Sequence, residues 1–497
     1  MSAQEHTLSP VFKSTKPARD LPTIEQSDAT YQIWKAFVAA RKAAAGDVLA
    51  QHELGLRYLL GKGVKADTVR ASYWIGEAAK KNLVAARFNL GILQYNGLGV
   101  SWNPFDAYAN FLYCAEKGMV EGQYLVGILE TENLIVPRNL DTAVRWLRAA
   151  ADSGHTPAQR ALVQIERLLR SQGSSTSADS THAATAADSL QFHPLSVDFS
   201  TDTTGSVHDR YLLADALRSV DPEVLRSMGL PEQLDRDSPI DSSTFAGLYR
   251  SAEAGSPEAL TIVGRCYDRG IVVESDVVNA ALFYLRALRL DSPRAAALLT
   301  RLMRGEGFID SLRSRADRND PVAQTVWATV HALGFDGFLY DHKMFITDSQ
   351  ALHLLEKASS RQFPQANIEL GLLHYSGKWV TRNPAKAIQY WNLASRQKSQ
   401  EADLRIAVIR IRTNDNENEL REAIAVIREA AERGAVLAEV ALGYCYETGT
   451  GVERNIREAV RLYRNGAHRG SQDAYRALRR MHDDIRPGKP QYVLEDW

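Results

Sequence analysis

Residues 50–79 read AQHELGLRYLLGKGVKADTVRASYWIGEAA, and the frame inside this stretch recurs five more times along the chain. With Val64 as origin, Gly55 lies nine residues before it and Gly61 three before, while Asp67 follows at +3 and Ala71 at +7. Val100, Val136, Val273, Val380 and Val452 head the other copies, and the first three valines are spaced by 36 residues. The early glycine recurs as Gly91, Gly127, Gly264, Gly371 and Gly443, and the later position as Gly97, Asn133, Gly270, Gly377 and Gly449. The downstream polar residue is Asn103, Asn139, Asp276, Asn383 or Asn455, and the alanine is Ala107, Ala143, Ala280, Ala387 or Ala459. Further on stands an aromatic residue or leucine: Trp74, Trp146, Phe283, Tyr390, Leu462. A fixed period of this size, with apolar and small residues at helical spacing, means stacked supersecondary units.

Each unit reads as two helices. Helix A carries Leu54 and Tyr58, and Gly55 on it allows close approach of a neighbouring helix. Helix A must stop at Gly61 or its equivalents, where a left-handed residue is cheap for Gly and tolerable for Asn, as at Asn133. Helix B then starts at the Asp or Asn, whose side chain accepts from the first-turn amides; such a cap is worth ~1 kcal/mol. One pair cannot bury its own apolar stripe, so neighbours must stack.

The frame Ala50-x-x-x-Leu54-Gly55-x-x-Tyr58-x-x-Gly61-x-Gly63-Val64-x-x-Asp67-x-x-x-Ala71-x-x-Trp74, closing on Ala78-Ala79, resembles the Sel-1-like repeat. The resemblance covers most of residues 46–482, with six good copies and three or four degenerate ones. It implies an all-α fold, a right-handed α/α superhelical solenoid related to tetratricopeptide repeats, and a non-enzymatic scaffold or adaptor that assembles other proteins. In the related tetratricopeptide geometry the concave wall is lined by helix-A residues three before and one, four and five after the Gly. Carried over, the protein-binding candidates are His52, Phe88, Ile92, Tyr95, Tyr124 and Ile128, with Leu56 and Leu59, in the first array. The second array contributes Ile368, Leu372 and Tyr375 in one unit and Arg265, Asp268 and Arg269 in another. Large apolar and aromatic side chains in such a row suit anchoring a partner's helix or extended peptide.

Composition narrows the class. The chain has 497 residues, too many for one ordinary domain, and 45% apolar content, ample for a packed core. Net charge is −1, so no global field favours nucleic acid or an anionic membrane. Residues 1–28 carry no apolar signal-like core and no stretch approaches ~18 continuous apolar residues, which predicts a cytoplasmic protein without a membrane span. Cys114, Cys266 and Cys445 are expected to be buried, separate and reduced. Relatives that are secreted and cysteine-rich staple each repeat with a disulfide, and this chain lacks those pairs.

Along the chain, residues 1–28 read as a disordered tail and 29–170 as the first array, opened by a lone helix over 30–45 and closed by one over 155–169. Residues 171–206 are rich in Ser, Thr and Ala and carry no Lys or Arg, a disordered linker by composition. Residues 207–482 form the second array, whose copies are less regular: 207–236 diverge, the loop 334–347 is long and aromatic, and 413–419 lack the glycines. Residues 483–497 read as an extended C-terminal tail.

Catalytic signals are weak. The Gly-x-Gly-Val runs at 61–64, 97–100 and 449–452 follow no strand and carry no Gly-Lys-Ser/Thr, so they are interhelix turns rather than phosphate loops. Asp341-His342 is the nearest approach to a metal pair, without a third ligand at metal-site spacing. No cofactor is implied. Two alternatives to a scaffold remain: a hydrolase-type enzyme with its chemistry near Asp341 and His342, or an RNA or acidic-partner binder. The latter would use Arg454, Arg457, Arg461, Arg464, Arg469, Arg476, Arg479 and Arg480, of which Arg457, Arg461 and Arg464 share one helix face.

Overall fold

The structure, a computed structural model, describes residues 29–173, 242–292, 294–335, 345–413 and 416–494. The tail 1–28, nearly all of the linker, the divergent stretch 207–236, and Asp341 and His342 lie outside them. The described residues form 22 α-helices and one 3-10 turn, with no strand among them. The chain separates into two compact units: one holds the first array together with the segment from Arg476 onward, and the other holds the second array.

In the first unit the pairs are Val48–Leu60 with Thr68–Lys80, Val84–Asn96 with Pro104–Glu116, and Val120–Glu132 with Leu140–Asp152. Ala29–Ala44 opens the array and Thr156–Gly173 closes it, the two unpaired helices that the sequence predicts. The second unit contains three regular pairs: Pro257–Arg269 with Val277–Leu288, Pro364–Ser376 with Pro384–Arg396, and Val436–Thr448 with Ile456–His468. Between them the units are distorted. Ala295–Met303 and Phe308–Asp317 are short, because the chain turns at Gly307 (φ 83°) after only nine helical residues. Pro321–Ala332 pairs with Asp348–Ser360 across the long loop, and Gln400–Thr413 with Glu417–Glu432.

The turn chemistry follows the frame. Asp67, Asn103, Asn139, Asp276, Asn383 and Asn455 are all N-caps whose side chains accept from a first-turn amide, for example Arg70 N at 2.9 Å from Asp67 and Lys386 N at 3.0 Å from Asn383. The helix-A stops all adopt left-handed backbone, with φ 64° at Gly61 and 53° at Asn133.

The pair itself is set by a side chain seated on the helix-A glycine. A Cβ on Gly55 would stand 2.5 Å from Ile75, on Gly91 2.6 Å from Phe111, on Gly127 2.7 Å from Leu147 and on Gly371 2.1 Å from Trp391. Gly264 receives Tyr284 and Gly443 receives Tyr463 in the same way. The seated residue is twenty positions after the glycine, one beyond the aromatic position prominent in the sequence. One residue is about 100° of helix rotation, so Trp74 and Trp146 lie at the margin while Ile75 and Leu147 are fully buried. Seated polar tips are satisfied: the Tyr463 hydroxyl donates to Glu447 at 2.9 Å, that of Tyr284 to Asp268 at 3.3 Å, and Trp391 Nε1 to Ile368 O at 3.2 Å.

Among the described residues no helix is long and apolar enough to cross a membrane. Two substitutions separate the seat from generic helix propensity. Gly371→Ala, which drives a methyl into the Trp391 ring, is expected to destabilise by about 1–3 kcal/mol. Gly76→Ala, in mid-helix with nothing within 4 Å of the new Cβ, should stabilise by about 0.5–1 kcal/mol. Urea unfolding of both variants checks the sign of each.

Candidate functional site

The helix-A face of the first array was the expected docking wall, and burial divides its members. His52, Phe88, Tyr124 and Ile128 are buried. Phe88 packs against Phe111, Tyr124 lies tilted against His155 at 4.7 Å, and Ile128 lies with Leu147 and Ile165. These side chains, three before or one after the glycine, are consumed by contacts between successive helices. Burial holds the His52 ring at about pH 4, so it is neutral and its Nε2 accepts from Asn89 Nδ2 at 2.7 Å. Ile92 and Tyr95 are only half-buried, as are Leu56 and Leu59, and Leu60 is exposed. The reachable part of this face is therefore aliphatic and aromatic, and it spans the first two repeats. The third repeat does not extend it, since Glu130, Thr131 and Glu132 at its equivalent end are buried.

The second array treats its expected wall differently. Ile368 is buried on Trp391, and half-buried Tyr375 leans on the same ring at 5.8 Å. Asp268 is engaged by Arg301 at 2.6 Å. Opening helices meet later ones through ion pairs between residues 80 to 211 positions apart in sequence: Arg289 with Glu369 at 2.6 Å, Arg286 with Glu401 at 3.3 Å, and Arg469 with Glu258 at 2.6 Å. Arg286 also holds Glu253 at 2.6 Å, Glu401 also takes Arg405 at 2.8 Å, and Arg469 also takes Glu439 at 2.9 Å. The side chains of Arg286 and Glu401 are each only 7% exposed. Burial alone would raise the Glu401 carboxyl, but Arg405 and Arg286 outweigh it and hold the group below its ordinary value. Charge ties early helices of this array to late ones, and on its helix-A face Leu372, Tyr375 and Tyr444 are half-buried.

The C-terminal arginines, read together as a basic patch, are largely committed. Arg469 lies in the buried network, Arg461 pairs with Glu458, Arg479 with Asp483 at 3.2 Å, and Arg454 donates to Glu447 O at 3.0 Å. Beyond them the C-terminal segment is not a free tail. Tyr492 is buried against Phe105 in the first array, ring to ring at 5.1 Å, and its hydroxyl donates to Phe105 O at 3.3 Å. Arg486 donates to the carbonyls of Leu134 (2.8 Å) and Ile135 (3.1 Å) and lies over the Phe105 ring. Sequence reasoning missed this contact. The signal it left was local: the loop of the third repeat has Ile135 where the other two have Gly63 and Gly99, and Phe105 where Val69 stands a repeat earlier.

No catalytic constellation emerges from the described clefts. One of them, about 730 Å³, is lined by Tyr267, Asp276, Ser311 and Arg315. There Asp276 caps its helix and takes Arg315 at 2.7 and 2.8 Å, so its charges satisfy one another. Among the described residues no three His, Cys, Asp or Glu side chains are grouped to hold a metal ion. All three cysteines are buried and free, and burial pushes the Cys114 thiol up to about 12 and that of Cys445 to about 11.

Stacked two-helix units held by glycine seats, with surfaces rather than pockets as their distinctive features, define a helical-repeat solenoid. The repeats themselves are Sel1 repeats: the family of that name matches at residues 48–83, 84–119, 120–155, 257–292, 348–363, 364–399 and 436–471, and the chain is a Sel1-repeat protein. Its six full-length matches coincide with the six copies of the frame, and the seventh falls on helix Asp348–Ser360. Solved structures similar to the chain include c5321, a protective antigen present in uropathogenic Escherichia coli strains displaying an SLR fold, at 18% identity over 91% of each chain with a TM-score of 0.30. Another is a Sel1 repeat protein from Oxalobacter formigenes, at 16% identity over 74% of this chain and 97% of that one with a TM-score of 0.22. Sel1-repeat proteins are generally protein-interaction scaffolds and typically non-catalytic.

The buried charge network makes a pH prediction. A carboxylate depressed in the folded state contributes stability above its unfolded pKa that is lost as pH falls through the folded one. Glu401→Gln should therefore cost about 3 kcal/mol at neutral pH and flatten the acid limb of the stability curve below about pH 4. Urea midpoints measured from neutral to acid pH check both; parallel curves for the two proteins would remove Glu401 from the explanation.

Proposed function

We propose that this chain is a non-enzymatic cytoplasmic scaffold whose client-binding groove lies on the helix-A face of the first array. The observation that carries the reading is the contrast between the arrays. The first leaves Leu56, Leu59, Leu60, Ile92 and Tyr95 reachable in consecutive repeats, whereas the second breaks the row: Leu372 and Tyr375 are half-buried in one repeat, but Arg265, Asp268 and Arg269 stand at those places in another. A row of apolar and aromatic side chains on a rigid helical wall suits an amphipathic helix or an extended apolar peptide, anchored by a few large side chains. The client is therefore a protein segment rather than a nucleic acid. Three buried free cysteines suit a reducing compartment.

Peptide selection on the full-length chain tests this. Enriched sequences should be apolar or aromatic at helical or alternating spacing, and their affinity should fall at least about tenfold in the Leu60→Ser, Ile92→Ser, Tyr95→Ser triple variant. Its helical content should remain that of the parent. Enrichment of acidic peptides whose binding collapses with salt would instead support a basic surface.

A further inference from the structure

Residues 33, 69 and 105 occupy the same place on three successive helices of the first array, 36 residues apart, and so do residues 37, 73 and 109. In the regular repeats this is the pair fourteen and eighteen residues after the helix-A glycine. The chain contains its own controls for that pair. Phe105 is 1% exposed because Tyr492 and Arg486 cover it. Val278 and Leu282, the equivalents after Gly264, are buried under Leu299, Phe308 and Leu312 of the short helix pair that follows. Where the place is exposed, its residues are small, polar or charged: Asp141 and Arg145, Ala385 and Gln389; in the last repeat it is half-buried and holds Arg457 and Arg461. Large apolar residues at this place thus go with a cover, except at the start of the chain. Ile33 is 59% exposed, Phe37 60%, Val69 65% and Tyr73 60%, and Trp34 beside them is 58% exposed.

We propose that this patch is a homodimer interface, covered by the same patch of a second copy of the chain. Five side chains more than half exposed offer about 500 Å² per copy, so a pair would bury about 1,000 Å², the lower bound for a specific interface. The patch also carries its own counter-charges. Arg41 and Glu77 sit at equivalent places on the adjacent helices Ala29–Ala44 and Thr68–Lys80; Arg41 is exposed, and Glu77 is half-buried and pairs with Lys80 at 2.6 Å. A two-fold axis that lays one copy's first helix across the other's Thr68–Lys80 helix sets Arg41 against Glu77 twice, once on each side. Arg41 of the second copy would then share the Glu77 carboxylate with Lys80. The site is separate from the helix-A face.

Light scattering and sedimentation equilibrium on the full-length chain test it. The expected mass is twice 55.1 kDa. The Val69→Asp, Tyr73→Asp double variant, altered only at exposed positions, should keep its helical content and dissociate at least about tenfold more readily. Arg41→Glu alone should weaken the dimer, and adding Glu77→Arg should restore it. Any of three results overturns the proposal: a monomer at the highest soluble concentration, a dimer indifferent to the double variant, or a monomer whose patch becomes dye-accessible only when residues 1–28 are removed, which would make that segment the cover.

Discussion

The structure depends on a missing side chain. At six places a helix-A glycine lets a large residue of helix B sit directly on backbone, and any Cβ there would fall 2.1 to 2.7 Å from that residue. Those distances lie inside van der Waals contact, so the two axes are closer than any pair bearing side chains at that point could be. Once the closest point is fixed, the turn between the helices has little freedom left. It must reverse at a left-handed residue and restart at a side-chain cap within seven positions, and the frame supplies both. Packing contact, stop and start are one geometric specification, and its repetition produces the solenoid.

Whatever is local to one repeat could therefore be read from the residues. Stops, caps and helix pairing depend on chemistry within about 30 positions, and all six copies carry them in register. Which residue meets the glycine was not read from the sequence: Trp74 stands out by its size, while rotation about the helix decides that Ile75 meets Gly55. What was not legible is what lies between repeats far apart in sequence. The frame does not say how far a superhelix turns before its ends meet. Hence Arg286 and Glu401, 115 residues apart, show no sign of each other in the sequence. The burial of His52, Phe88, Tyr124 and Ile128 comes from nearer contacts: Phe88 meets Phe111 and Ile128 lies with Leu147 inside one repeat, while His52 reaches Asn89 of the next.

The two arrays resolve the free edges of a solenoid in different ways. In the second, arginines and carboxylates converge where early and late helices meet. Burying such charges is costly, and replacing them with well-packed apolar residues would often be neutral or better for stability. Their value here lies in geometry: the guanidinium of Arg469 must find two carboxylates, Glu258 and Glu439, at 2.6 and 2.9 Å, and a slipped arrangement of helices would strand all three. The first array has no such closure. Its third repeat is covered by the C-terminal segment, and its first two keep apolar surface.

A repeat protein supplies an alignment within a single chain, and that makes surface residues interpretable in a way they are not in an ordinary domain. One exposed valine on a globular protein carries no information, because much of any protein surface is apolar. At a repeated position the comparison is controlled: backbone, helix and neighbours are held constant while only the environment changes. Position 141 has no cover and is Asp, position 278 is covered and is Val, and position 105 lies under Tyr492 and is Phe. Val69 and Ile33 follow the covered members of that series while lying more than half exposed. Their side chains match a buried environment, and that mismatch is the ground for proposing a cover over the surface they form.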